Sequence, residues 1–151
     1  MTIKHYEIAR ALKDYLIGYS RTLADPLWIK DGVVSFTNEV DRIDRIGSPI
    51  LVVRIDSEEI LPYKTSKAQV IFTCHASILY IVSGNKEQVV QHLSDLTDYI
   101  RENTIMNPDI LFTQGIYLTY ISSISAIEHV IRKETTDYVY RTLTFRSHNY
   151  S

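Results

Sequence analysis

Ala68-Gln69-Val70-Ile71-Phe72-Thr73-Cys74-His75-Ala76-Ser77-Ile78-Leu79-Tyr80-Ile81-Val82 is the stretch whose reading decides the fold. Branched and aromatic residues dominate it, and its first half alternates with the period of a strand. Val70, Phe72, Cys74, Ala76 and Ile78 share one face. Gln69, Thr73, His75 and Ser77 share the other with Ile71. From Ile78 to Val82 alternation stops, which predicts a strand end covered on both sides. Ser83-Gly84-Asn85 then turns the chain. Asn85 with Gln88 three positions on resembles a capping box, and Lys86 to about Glu102 reads as an amphipathic helix. Val89, Val90, Leu93, Leu96, Thr97 and Ile100 form its stripe, with Lys86, Gln91, Ser94, Asp95, Asp98 and Arg101 off it. Lys67 to Asn103 therefore supplies a sheet and a helix to pack on it.

Upstream, Ile3 to about Tyr19 has helical spacing through Ile8, Ala9, Leu12, Tyr15, Leu16 and Tyr19, with Thr2 as N-cap. Asp25-Pro26 ends that tendency. Leu27-Trp28-Ile29-Lys30 and Val33-Val34-Ser35-Phe36 flank Asp31-Gly32, a tight-turn signal; they make a hairpin or one bulged strand. The small tandem repeat Asp41-Arg42-Ile43-Asp44-Arg45-Ile46 leads through Gly47-Ser48-Pro49 to a buried strand, Ile50 to Ile55. Glu58 to Lys64 reads as a loop around Pro62. Downstream, Asn103 to Asp109 reads as a loop and Ile116 to Ser123 as a strand. A β-prone patch, Ile124 to Ile131, and a polar turn, Arg132 to Asp137, follow. Tyr138 to Arg146 closes the chain as a strand, with Val139, Leu143 and Phe145 opposite Tyr138, Tyr140, Thr142 and Thr144. The order predicts an α+β fold: one domain spanning 1–151, with a mostly antiparallel sheet and two α-helices packed on one face.

The 151 residues are 45% hydrophobic and 23% charged, enough for a core without staples. A net charge of −2 gives no global pull towards nucleic acid or anionic membrane. Cys74 is the only cysteine, so no internal disulfide forms, which fits intracellular assembly. The opening Met1 to Asp14 is too charged for a signal peptide, and no apolar run is long enough to span a membrane. Eleven tyrosines against four phenylalanines point to half-buried surface, as at interfaces.

No local pattern carries chemistry. Cys74 and His75 are neighbours on a strand, so they point to opposite faces and cannot act together. Cys74 reads as core. His5, His92, His129 and His148 lack metal-ligand spacing, and His92 can meet Asp95 as a surface pair. Asp95 and Asp98 read as solvated helix face. Asp41 and Asp44 beside Arg42 and Arg45 suggest self-neutralising surface or complementarity with a partner. Arg132, Lys133, Tyr138, Tyr140, Arg141, Phe145 and Arg146 interleave bases with aromatics, as a nucleic-acid face would. Trp28 suits an interface anchor or packing between the first helix and the sheet.

The segment order resembles the tail terminator and tail-completion (neck) proteins of tailed bacteriophages and related contractile particles. The likeness lies in the N-terminal helix leading into Pro26-Leu27-Trp28, the strand–helix unit Lys67–Glu102, and the closing pair Ile116–Ser123 with Tyr138–Arg146. That resemblance implies a structural virion protein, not an enzyme, closing as a homomeric ring, a hexamer, that caps the tail tube. It implies partners in copies of itself, the tail tube protein, the neck or connector and the sheath. It implies location in the virion after assembly in the host cytoplasm. It transfers no catalytic, cofactor or metal residues. The candidate interface residues are Trp28, Asp41, Arg42, Asp44, Arg45, Glu58, Glu59, Tyr63, Lys64, Tyr80, Tyr138 and Tyr140. A small dimeric α+β module binding nucleic acid or a ligand is the alternative. An enzyme whose residues converge from separate strands is a third.

Overall fold

The computed structural model describes residues 4–35, 47–62 and 68–150. The candidates Asp41, Arg42, Asp44, Arg45, Tyr63 and Lys64, and the expected N-cap Thr2, lie outside the described residues. The first helix, α1, spans His5–Ser20 and begins at Lys4, whose extended backbone makes the cap without a side-chain bond. Ile8, Ala9, Leu12 and Leu16 are its buried stripe. Ser20, at its end, is fully buried and fully used. Its hydroxyl donates to the Ile17 carbonyl at 2.7 Å and accepts the Ile29 amide at 3.0 Å, which ties the next segment to the last helical turn.

That segment corrects one expectation. Asp25–Leu27 is a short 3₁₀ turn, and Trp28 to Lys30 lie outside any helix or strand. Asp31-Gly32 is no turn: it opens strand β1 (Asp31–Ser35), which pairs parallel with β2 (Ile50–Pro62), Asp31 opposite Ile50. Gly32 serves a close approach instead. A Cβ there would lie 2.9 Å from Ile17 Cδ1 and 3.0 Å from Lys13 Cγ, so the missing side chain lets α1 sit on β1. Gly47, at a φ of 99°, does need glycine's left-handed freedom to turn the chain into β2.

Strand β2 corrects a second expectation. The residues from Glu58 onwards continue as strand to Pro62, because a bulge between Ile55 and Glu58 resets the register instead of ending it. The strand β3 (Ala68–Ile81) pairs antiparallel with β2 on one side and with β6 (Tyr138–Tyr150) on the other. The closing strand therefore extends past Arg146 and inserts between β3 and β4 (Leu118–Ile124), while β5 (Glu128–Val130) pairs with its start. Strand β4 begins two residues after Ile116, because the 3₁₀ turn Phe112–Gln114 and Gly115 shape the preceding loop. The sheet order is β1-β2-β3-β6-β4, antiparallel but for the β1–β2 pair.

The second helix, α2, spans Lys86–Met106, capped by Asn85, whose side chain accepts the Gln88 amide at 3.3 Å. It runs past Glu102 because its last turn is anchored. Thr104 is buried and bonds the Ile100 carbonyl, and Asn103 donates to the Tyr15 hydroxyl at 2.6 Å. Both helices lie on one sheet face. Ile8, Leu12 and Leu16 from α1 join Leu93, Leu96 and Ile100 from α2 over Phe72, Cys74, Ala76, Ile78, Leu143 and Phe145. The opposite face holds a smaller buried cluster of Ile50, Val52, Leu79 and Tyr138, which is the expected double coverage of the strand end. No helix among the described residues is long and apolar enough to cross a membrane.

Candidate interface surfaces

Tyr80 lies on the helix-side face of β3, 5% exposed, and its hydroxyl donates to the Pro26 carbonyl at 2.7 Å. Burial, and to a lesser degree Asp95, push its pKa well up, so the hydroxyl stays a donor. It fastens the 3₁₀ turn to the sheet. Tyr138 is 8% exposed and belongs to the smaller cluster, with the Arg132 guanidinium 5.1 Å over its ring. The structure thus spends both rings inside the chain. Tyr140 stands half-buried beside Tyr138, and its hydroxyl donates to the Glu128 carboxylate at 2.5 Å, which raises its pKa. Trp28 is half-buried. Its indole N–H donates to the Leu23 carbonyl at 2.7 Å, and Arg21 and Lys30 flank its ring at 5.5 and 5.7 Å.

Glu58 and Glu59 are exposed on the outer half of β2, with their carboxylates held from within the chain. Glu58 lies 3.4 Å from His5 Nδ1, and Glu59 accepts Arg146 Nη2 at 2.7 Å. Asp56, in the bulge, lies 2.9 Å from His75 Nε2, whose Nδ1 meets Thr144 Oγ1 at 2.9 Å. Neighbouring acids of this strand are thus gripped by α1, β3 and β6. Beyond them Ile60 is 64% and Leu61 40% exposed. The sequence marks these two only as the apolar residues of an otherwise polar stretch. Met106 and Phe112, 81% and 72% exposed, flank the loop after α2 with Ile105. Ile105 and Met106 fall in the stretch Asn103 to Asp109, which reads as a connecting loop, and Phe112 lies just beyond it, where no periodic pattern marks it.

The nearest approach to a catalytic constellation is one no local pattern foretells. Cys74 and His75 do point apart, but Cys74 Sγ lies 3.5 Å from Nε2 of His5, and Glu58 stands on the far side of that ring. Its geometry does not activate the thiol. Nε2–H donates to the Thr73 carbonyl at 3.0 Å, so that nitrogen has no lone pair for the thiol proton. Cys74 is 2% exposed, and burial, aided by Asp56, pushes its pKa up to about 12.

His92 does not pair with Asp95 as expected; Gln91 donates to Asp95 at 2.8 Å, and the His92 ring lies against Tyr80 at 6.3 Å. Asp95, Asp98, Tyr99 and Glu102 line a shallow groove of about 270 Å³, and Arg101 lies 3.6 Å from Asp98. Another groove, about 360 Å³, runs between α1 and the 3₁₀ turn Phe112–Gln114, lined by Glu7, Arg10, Ala11, Asp14 and Gln114. Among the described residues, no three His, Cys, Asp or Glu side chains gather as metal ligands. Strand alternation splits the basic-aromatic run near the C-terminus, leaving Tyr138, Tyr140 and Arg146 on one face and Arg141 with Phe145 on the other. Arg141 points inward to the Ser125 carbonyl and Thr97 hydroxyl, Phe145 enters the core, and Arg146 faces the other way towards Glu59. No protein-family model matches this chain, and no curated protein matches it at a significant level.

Proposed function

We propose that this chain is a structural assembly protein of a tailed bacteriophage. On this reading it is a tail terminator that closes with copies of itself into a ring, capping the tail tube and joining it to the neck. The supporting observation is the outer half of β2, where Ile60 and Leu61 stay exposed on a strand whose acids Glu58 and Glu59 find partners inside the chain. Apolar surface left over after folding suits a partner. A ring needs two unlike patches on each subunit, and Met106 with Phe112 offers the second. The buried Tyr80 and Tyr138 brace the fold at the far end of β3 from these surfaces. No membrane, cofactor or catalytic step enters this role, and the protein resides in the virion after assembly in the host cytoplasm.

The nucleic-acid alternative is not the favoured reading, because Arg141 and Phe145 are turned into the helix side while Arg132 and Arg146 are engaged by Tyr138, the Thr136 carbonyl and Glu59. Light scattering after size exclusion tests the assembly reading. The chain should form a species several times the 17.5 kDa of one copy, with Ile60→Asp/Leu61→Asp collapsing it to a folded monomer. A parent protein that stays monomeric at every concentration, with tail tube protein added as well as without it, would overturn it.

A further inference from the structure

At the end of the sheet where β3 starts and β6 finishes, a polar cluster lies on the face opposite the helices. Gln69 Nε2 lies 2.7 Å from His148 Nδ1 and also bonds the Tyr117 hydroxyl. On its other side, His148 Nε2 lies 3.3 Å from the Tyr120 hydroxyl. The Tyr117 and Tyr120 rings flank the imidazole at 6.1 and 5.4 Å. The main chain is tied at the same place: the Tyr117 amide donates to the His148 carbonyl at 3.1 Å.

Donor counting fixes the roles. An amide nitrogen only donates, and Gln69 spends its N–H groups on Tyr117 and on His148. Nδ1 must then be the acceptor, and Nε2–H donates to Tyr120, so the ring is neutral. We propose that this cluster is a proton-gated stitch: neutral His148 holds the entry of β4 against β3 and β6, and protonation of the ring loosens it. A proton on Nδ1 would face the Gln69 N–H. The amide would have to turn over, leaving an imidazolium beside the cation of Arg146.

Each element packed there contributes a neighbour: the neutral amide of Gln69 from β3, the titratable Tyr117 and Tyr120 at β4, and the charged Arg146 from β6 and Glu59 from β2. Burial first and Arg146 second hold the His148 pKa below the ordinary 6.5, against the opposing pull of Glu59. The folded-state value is depressed, so the stabilisation is present above pH 6.5 and is lost as pH falls through that lower value. This inference stands apart from the ring reading, since it concerns one subunit.

The test is NMR on the intact chain. At neutral pH the His148 ring should show the Nε2–H tautomer and titrate below 6.5. Arg146→Met should raise that midpoint, and Glu59→Gln should lower it. Exchange of the Tyr117 amide, corrected for intrinsic chemistry, should speed up several-fold on acidification and lose that dependence in His148→Asn. The proposal fails if His148 titrates above 6.5, if Arg146→Met leaves the midpoint unmoved, or if His148→Asn keeps the same acid loss. Should His148→Asn not fold, the parent's tautomer and the Arg146→Met midpoint decide.

Discussion

Tyr80→Phe asks whether this tyrosine braces the subunit's interior or meets a partner. The hydroxyl donates to the Pro26 carbonyl at 2.7 Å from a side chain that is almost wholly buried. Removing it forfeits a part-buried bond worth about 0.5–1.5 kcal/mol net, which sets the expected cost, since the Pro26 carbonyl belongs to an exposed residue that water can reach. Tyr80→Ala removes the ring as well and should cost about 3–5 kcal/mol, as large aromatic truncations do. With an m-value of about 2 kcal/mol/M, Tyr80→Phe should lower the urea midpoint by about 0.3–0.8 M. Circular dichroism follows the unfolding at protein concentrations about a hundredfold apart, because a midpoint set by association would move with concentration. The reasoning is refuted if Tyr80→Phe unfolds with the parent while the assembled mass falls, since Tyr80 would then contribute between subunits.

Other substitutions probe particular packing. Ser20→Ala removes the hydroxyl that bridges Ile17 and Ile29 inside the protein, and should cost about 1–3 kcal/mol in urea unfolding. Gly32→Val drives a branched side chain into Ile17 and Lys13, and should cost about 1–3 kcal/mol, with Gly32→Ala much milder because flexible side-chain ends can give way. Cys74 should resist alkylation in the folded chain and react only on unfolding, at the unfolding rate under high reagent. Its folded pKa of about 12 stands above the ordinary thiol value of 9.0, so stability should fall as pH rises above about 9, and Cys74→Ala should flatten that decline.

What the sequence shows clearly is periodic. The faces of β3 and the stripe of α2 follow from spacing alone, because a strand buried on its helix side and an amphipathic helix must repeat at their own periods. The errors fall where a local signal competes with a distant contact. Asp31-Gly32 looks like a turn, yet Gly32 is there for α1 to approach. Glu58 to Pro62 looks like a loop because its acids and proline are poor strand residues, but the β3 ladder and partners on α1, β3 and β6 hold it extended. The end of α2 depends on Tyr15, far back in the chain. The same holds for the candidate surfaces. Tyrosine content suggested interface, but Tyr80 and Tyr138 have interior partners, and no spacing rule brings His5 to Cys74 or Gln69 to His148.

Electron microscopy of the purified chain at high concentration tests the central claim most directly. The account predicts closed rings of uniform diameter with a central opening, dispersed to single subunits by Ile60→Asp/Leu61→Asp. A field of discrete single copies or compact dimers, unchanged by those substitutions and by added tail tube protein, would contradict it.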